Sequence, residues 1–306
     1  MWTIGILGKV SPTLPVFWHL IFNLKGFVLK KLVQYWFNLL SIVLILPLSV
    51  GFSANALAQS KIQVQWFGQS AFKITTLQGH VIIIDPWILK NPKTPTELKN
   101  LDALGKVDVV LVTHAHWDHT ADAVEIAVKN QSPLYGPGDF SQTLMNLGSL
   151  PAKQLPRMNK GGTVSPWPGV KITAVHAEHS STYVWNNPVT QKDESLPGGE
   201  PLGFIIELEN GFKIYHAGDT DVFGDMALIQ KRYHPDVAML PIGGNFTMDP
   251  QGAAFAINEF LKPKYAIPMH YQTNPFNNGS PEDFIKALGQ SATEVIVMKP
   301  GEIRQF

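Results

Sequence analysis

The run Thr113-His114-Ala115-His116-Trp117-Asp118-His119 follows the mostly apolar stretch Val107–Val112 and places three imidazoles and a carboxylate within six consecutive positions. No packing need explains that density. A neutral imidazole is the commonest metal ligand in proteins, and carboxylate oxygens complete hard or borderline sites. Val109–Val112 reads as a strand buried on both faces, so the run falls on a loop at its carboxyl end, where open α/β sheets place their chemistry. Two histidines one residue apart can converge on one ion only from a bent segment, because alternate side chains of a flat strand stand well separated. Asp118 and His119, just before a helix expected over Thr120–Lys129, would face a second ion nearby. Two such ions about 3.5–4 Å apart can share a bridging hydroxide.

Working outward, short strands alternate with helices. Ile62–Phe67, Ala71–Thr75 and His80–Ile84 read as strands, with a hairpin turn at Leu77–Gly79. Val170–Val175, Gly203–Leu208 and Phe212–Tyr215 are further strands, the last two joined by the turn Glu209-Asn210-Gly211. Apolar strands at Val237–Leu240 and Lys264–Ile267 flank a helix over Pro250–Leu261; a helix over Pro281–Leu288 leads to a strand at Glu294–Met298. This pattern predicts an α/β protein with two packed sheets and helices outside. Thr182–Pro201 shows no periodicity and holds Tyr183 and Trp185, so it reads as a long functional loop. Three more ligand candidates stand just after predicted strands: His179, Asp219 and His270.

Composition narrows the chemistry. With no cysteine, disulfides, thiolate nucleophiles and cysteine-type zinc sites are excluded, leaving histidine and carboxylate as strong ligands. The formal charge of zero hides an asymmetry: residues 1–58 hold four lysines and no acid, leaving 20 basic against 24 acidic residues in the rest. That body lacks the basic excess of a general nucleic-acid binder.

The first 58 residues read as an export signal. Lys30-Lys31 precede the apolar stretch Leu39–Val50 and the small-residue ending Ala56-Leu57-Ala58, the three-part layout of a secretory signal peptide. Cleavage is expected after Ala58, with a domain over 59–306 in the periplasm or outside the cell. The alternative is an uncleaved anchor over residues 32–53, which would be the only membrane contact. Residues before Lys30 are more than a signal needs, so translation starting near Val28 or Leu29 is a further reading.

His114-x-His116-x-Asp118-His119, followed by His179, Asp219 and His270, resembles the metallo-β-lactamase superfamily in order and spacing. The wider context (Trp66–Phe72, Ile84-Asp85-Pro86, Tyr215–Thr220, Leu240–Gly244 and Pro268–His270) is similar to the branch holding ascorbate-6-phosphate lactonase-like proteins and uncharacterised metal-dependent hydrolases. One departure is Gly244, where some members of the hydrolase group carry an acid.

The resemblance implies a four-layered αββα sandwich, with two mixed β-sheets flanked by helices. It implies two divalent ions, zinc first, with manganese or iron as alternatives. His114, His116 and His179 would hold one ion, Asp118, His119 and His270 the other, with Asp219 bridging. A carboxylate has two oxygens and can span two cations, which a neutral imidazole cannot. Asp118 is also the expected catalytic group, orienting a bridging hydroxide and handling its proton. Asp85 is expected to accept a hydrogen bond from a ligating imidazole. His216 is expected to be buried and hydrogen-bonded, with substrate contact as its alternative. Tyr183, Trp185, Asn245 and Tyr271 are candidates for the substrate side.

The implied activity is hydrolysis of a small molecule at a carbonyl or phosphoryl centre: a lactone, ester, amide or phosphodiester. The alternatives are an iron-dependent oxidoreductase on the same fold, which oxygen-dependent turnover would reveal, and a nuclease-type phosphodiesterase. A binding protein without catalysis is disfavoured by the intact ligand set. Neither substrate nor oligomeric state follows from the residues.

Overall fold

The computed structural model describes residues 61–306; the export-signal and anchor readings lie outside them. Two seven-stranded mixed sheets face one another. The first comprises β1 (Gln63–Gly68), β2 (Ala71–Thr75), β3 (Val81–Ile84), β4 (Val109–Leu111), β5 (Leu134–Pro137), β6 (Arg157–Met158) and, at its far edge beside β1, β16 (Ile303–Gln305). The second comprises β7 (Thr163–Val164), β8 (Lys171–His176), β11 (Leu202–Glu207), β12 (Lys213–His216), β13 (Val237–Pro241), β14 (Tyr265–Met269) and β15 (Glu294–Val295). In each sheet an antiparallel half joins a parallel half.

Strand alternation explains the layering. Ile82 and Ile84 point into a core shared with Phe204, Ile206, Met239 and Ile267 of the other sheet. Ile83, between them, points outward onto Ala123, Ile126 and Phe140. The second sheet does the same, with Ile205, Ala238 and Leu240 covered by Met226, Ile257 and Phe284. Period-two side chains with both faces apolar require cover on both sides. Three apolar cores therefore separate four layers, the expected αββα sandwich.

Among the described residues six α-helices supply the outer layers: α1 (Trp117–Thr120), α2 (Ala123–Asn130), α3 (Gly138–Asn146), α4 (Met226–Tyr233), α5 (Pro250–Phe255) and α6 (Pro281–Leu288). The helix expected over Thr120–Lys129 is broken before Ala123. Asp122 there takes φ −108° and ψ 1°, and its carboxylate accepts from the Ile88 and Leu89 amides at 2.6 and 3.0 Å. The helix expected over Pro250–Leu261 begins with Asp249 accepting from the Gly252 amide and Pro250 in its first turn, then widens into a π-helical stretch over Ala256–Leu261. The strand expected over Glu294–Met298 is only two residues long.

Thr182–Pro201 is not an irregular loop. Thr182–Asn187 (β9) and Lys192–Pro197 (β10) pair antiparallel as a separate hairpin. Its residues alternate between exposed and half-buried with no buried face, so hydrophobic periodicity has nothing to report. The foot of the hairpin is tied down where the Thr143 hydroxyl donates to the Pro197 carbonyl at 2.8 Å.

Candidate metal centre

Four ligand candidates follow β4 of the first sheet. The chain bends after Leu111, and His116 becomes the residue before α1. That bend brings His114 Nε2 within 2.9 Å of His116 Nδ1, the convergence a flat strand could not make. The other three follow strands of the second sheet: His179 after β8, Asp219 after β12, His270 after β14. Gly218, with φ +65°, makes the turn that delivers Asp219; a Cβ there would meet the Leu202 carbonyl oxygen at 2.7 Å.

The seven side chains gather into one cluster. One donor atom from each of His114, His116 and His179 lies within 4.8 Å of the other two, and so it is for Asp118, His119 and His270. Asp219 stands between the trios. Its Oδ2 is 4.0 Å from His114 Nε2 and 3.8 Å from His179 Nε2 on one side. On the other it is 3.3 Å from His119 Nε2 and 2.9 Å from His270 Nε2.

Around the cluster, hydrogen bonds fix ring orientation. Asp85 is fully buried and accepts three times, from the Thr113 amide at 2.7 Å, the Thr113 hydroxyl at 2.7 Å and His119 Nδ1 at 2.8 Å. His114 Nδ1 lies 3.1 Å from the same hydroxyl. With that hydroxyl's proton given to Asp85, His114 Nδ1–H donates to its oxygen. Asp85 thereby turns the Nε2 atoms of His119, directly, and His114, through Thr113, toward the cluster.

Electrostatics divides the histidines. Burial, then the charge of His119, holds His114 well below the ordinary imidazole value, and the same two causes lower His116. Burial also lowers His179. These three stay neutral, so each keeps a ring-nitrogen lone pair. For His119 burial opposes the charged form, but Asp219, Asp118 and Asp85 outweigh it and raise the ring well above its usual value. Burial is likewise outweighed at His270, where Asp219 and Asp118 raise it to about 9. Against the pull of burial, His119 and His270 hold Asp118 down to about 2 and Asp219 well below the carboxylate range. Protons and metal cations thus compete for the same lone pairs.

The donor set fits metal. His119 Nε2 is buried and has no hydrogen-bond partner, although two carboxylates face it. A buried polar nitrogen left so is costly unless a cation or proton engages it.

Gln69 is a site residue that the sequence reading did not single out. It sits between β1 and β2 at φ +50°, and its Nε2 donates to Asp118 Oδ2 at 2.8 Å and lies 2.6 Å from His270 Nε2. Asp85 and His270 also hold left-handed backbones, at φ +46° and +54°. Three non-glycine residues in that region at one site mark it as functional.

The other candidates sit elsewhere. His216 is buried, donates from Nε2 to the Ser70 carbonyl at 3.0 Å and accepts from the Gly218 amide at 3.2 Å, so it braces the Asp219 turn rather than facing the cavity. Tyr271 stacks on Trp66 at 5.5 Å beside the inter-sheet core. Tyr183 packs edge-on against Phe140 at 5.3 Å. Trp185 lies half-buried on the hairpin, and Asn245 is exposed at φ +57°. A cavity of about 550 Å³ opens over His116, Asp118, His179, Asp219 and His270, and none of these five candidates lines it.

The chain is similar to known proteins in sequence and in structure. The sequence profile described as "Beta-lactamase superfamily domain" matches residues 80–271. A metal-dependent hydrolase of Polaromonas sp. (strain JS666 / ATCC BAA-500) is 59% identical over 249 residues, covering 81% of this chain and 91% of that protein. A metal-dependent hydrolase of Rubrobacter xylanophilus is 42% identical, covering 78% and 95%. Among solved structures, the metallo hydrolase Igni18 from the archaeon Ignicoccus hospitalis superposes with a TM-score of 0.67 at 34% identity, covering 81% of this chain and 99% of that one.

Proposed function

This chain belongs to the metallo-β-lactamase superfamily of metal-dependent hydrolases, and we propose that it hydrolyses a small molecule at a carbonyl or phosphoryl centre with two divalent ions. The observation that carries the two-ion reading is Asp219 Oδ2, which lies within 4.0 Å of imidazoles from both trios. His114, His116 and His179 would hold one ion, and Asp118, His119 and His270 the other, with Asp219 shared. Zinc suits this nitrogen-rich set best, with manganese or iron as alternatives. When bound, such ions would lower the pKa of water toward neutrality and polarise the electrophile as Lewis acids.

The protein's own groups do the rest. Asp118 stays ionised, is held in place by the Gln69 amide, and is open to the cavity. It can accept the proton of an attacking water and deliver it to the leaving group. Asp85 fixes the tautomers that keep donor nitrogens pointed inward. Export to the periplasm or beyond, read from residues 1–58, is part of the same proposal.

Metal analysis of the reconstituted full chain, paired with turnover of a lactone, ester and phosphodiester panel, tests it. About two ions per chain are expected. Less than about one ion after reconstitution, or unchanged turnover in His116→Ala and Asp118→Ala, overturns it.

A further inference from the structure

The mouth of the cavity is aromatic. Trp117, Phe246 and Phe276 line it and are 60%, 51% and 64% exposed, and the two phenylalanine rings meet edge-on at 6.1 Å. Large aromatic side chains grouped in the open mark a recognition surface, whereas scattered ones do not. Among the described residues no lysine or arginine lines the cavity. An anionic substrate would be expected to meet the forked or point-charge donors that bind phosphate and carboxylate.

Inside, Asn277 lines the same cavity and is completely buried, and neither its amide nitrogen nor its amide oxygen has a hydrogen-bond partner. A wholly unsatisfied buried amide lowers stability. Inside a cavity such an amide is available to pair with a bound molecule, as the few polar groups of ligand pockets do. Its backbone is anchored in the loop after His270, with its amide donating to Asn274 and its carbonyl accepting from the Gln272 amide.

We infer that the cavity takes a neutral ester or lactone bearing an aromatic arm, with the arm against Trp117, Phe246 and Phe276 and the substrate's carbonyl oxygen accepting from the Asn277 amide. This rests on the hydrolase reading above. In the reaction the oxygen of water bonds to the carbonyl carbon, the carbon–oxygen bond to the leaving alcohol breaks, and that alcohol takes the proton Asp118 accepted. A carboxylic acid and an alcohol result, with no redox partner needed.

Two measurements on the metal-loaded full chain test it. In turnover, γ-phenyl-γ-butyrolactone should exceed γ-butyrolactone in kcat/KM by about 10-fold or more, and phenyl acetate should exceed bis(4-nitrophenyl) phosphate. Phe276→Ala should narrow the lactone ratio. Equal lactones, or a preference for the phosphodiester, overturn the inference while leaving the hydrolase reading intact.

In binding, followed by calorimetry, 4-phenyl-2-butanone should bind about 10-fold tighter than 2-butanone. Asn277→Leu should weaken it about 10-fold while melting at or above the wild-type temperature. If no probe in the panel is turned over, the proposed hydrolysis falls and takes the substrate's chemistry with it, and the ketone titration then decides the binding part of the inference, the aromatic arm and the Asn277 contact. Equal ketone affinities, or an Asn277→Leu variant that melts lower with unchanged affinity, overturn it.

Discussion

Asp85 Oδ2 lies 2.8 Å from His119 Nδ1, with both side chains wholly buried. That contact holds one of the two imidazoles whose Nε2 faces both Asp118 and Asp219, the other being His270. Because Asp85 also takes the Thr113 hydroxyl, one carboxylate sets two rings in two different trios. Asp85→Asn can still accept from His119 and the Thr113 hydroxyl, which share one oxygen, but it then brings an amide N–H against the Thr113 backbone N–H. Metal affinity is expected to fall about 10- to 100-fold, as measured by competition with a chromophoric chelator. Retention of wild-type affinity would show that ring orientation is set elsewhere.

Gln69→Ala should act on one trio only. It removes the donor at 2.8 Å from Asp118 Oδ2 and leaves His114, His116 and His179 untouched. Stepwise metal titration should show one ion bound as in the wild type and the other weakened about 10-fold. Uniform weakening of both would contradict the two-trio division.

Gly243 is needed for close approach rather than for a turn. A Cβ at this position would stand 2.2 Å from the His270 carbonyl oxygen, which is backbone and cannot swing aside. Gly243→Ala should therefore shift His270, destabilising the fold by about 1–3 kcal/mol in urea titrations and weakening metal binding with it. Loss of neither would show that the loop yields without cost.

The pH dependence has a definite sign. His270, raised to about 9 from 6.5, stabilises the metal-depleted protein fully below the unfolded value, and this is lost as pH rises through about 9. Asp118, lowered to about 2 from 3.8, contributes above its unfolded value and loses it as pH falls through about 2. The metal-depleted protein should thus melt progressively lower from neutral pH to beyond 9. Bound ions take the neutral imidazoles, so the loaded protein should not follow that decline. Loading at pH 7.5 should release protons, seen as a buffer-dependent heat in calorimetry. Loading without proton release would refute the shared-lone-pair picture.

The seven candidate ligands were legible in the sequence because each is a strong donor at the end of an apolar strand, and sheet topology brings strand ends together. Gln69 and Asn277 were not legible. A neutral amide carries no ligand signature, and both earn their places through backbone positions that only the tertiary fold defines. Strands β5 and β16 escaped notice for similar reasons. Leu134-Tyr135-Gly136-Pro137 contains two turn-forming residues, and Ile303-Arg304-Gln305 is an exposed edge with no buried face. The sequence points to Tyr183 and Trp185 in Thr182–Pro201, where backbone pairing rather than side-chain burial makes structure, and to Tyr271, which instead stacks on Trp66. Those at the cavity mouth instead come from residues 117, 246 and 276.

The first sheet carries four of the candidate ligands and the second carries three, so neither half of the sandwich holds a complete set. The short link between β6 and β7 is where the chain passes from one sheet to the other, and only β16 returns to the first. A cation at the seam is then a clasp as well as a reagent. In a molecule cut at that link the two pieces would still be joined by the shared inter-sheet core and the pairing of β1 with β16, and a divalent cation held between them would add a third tie.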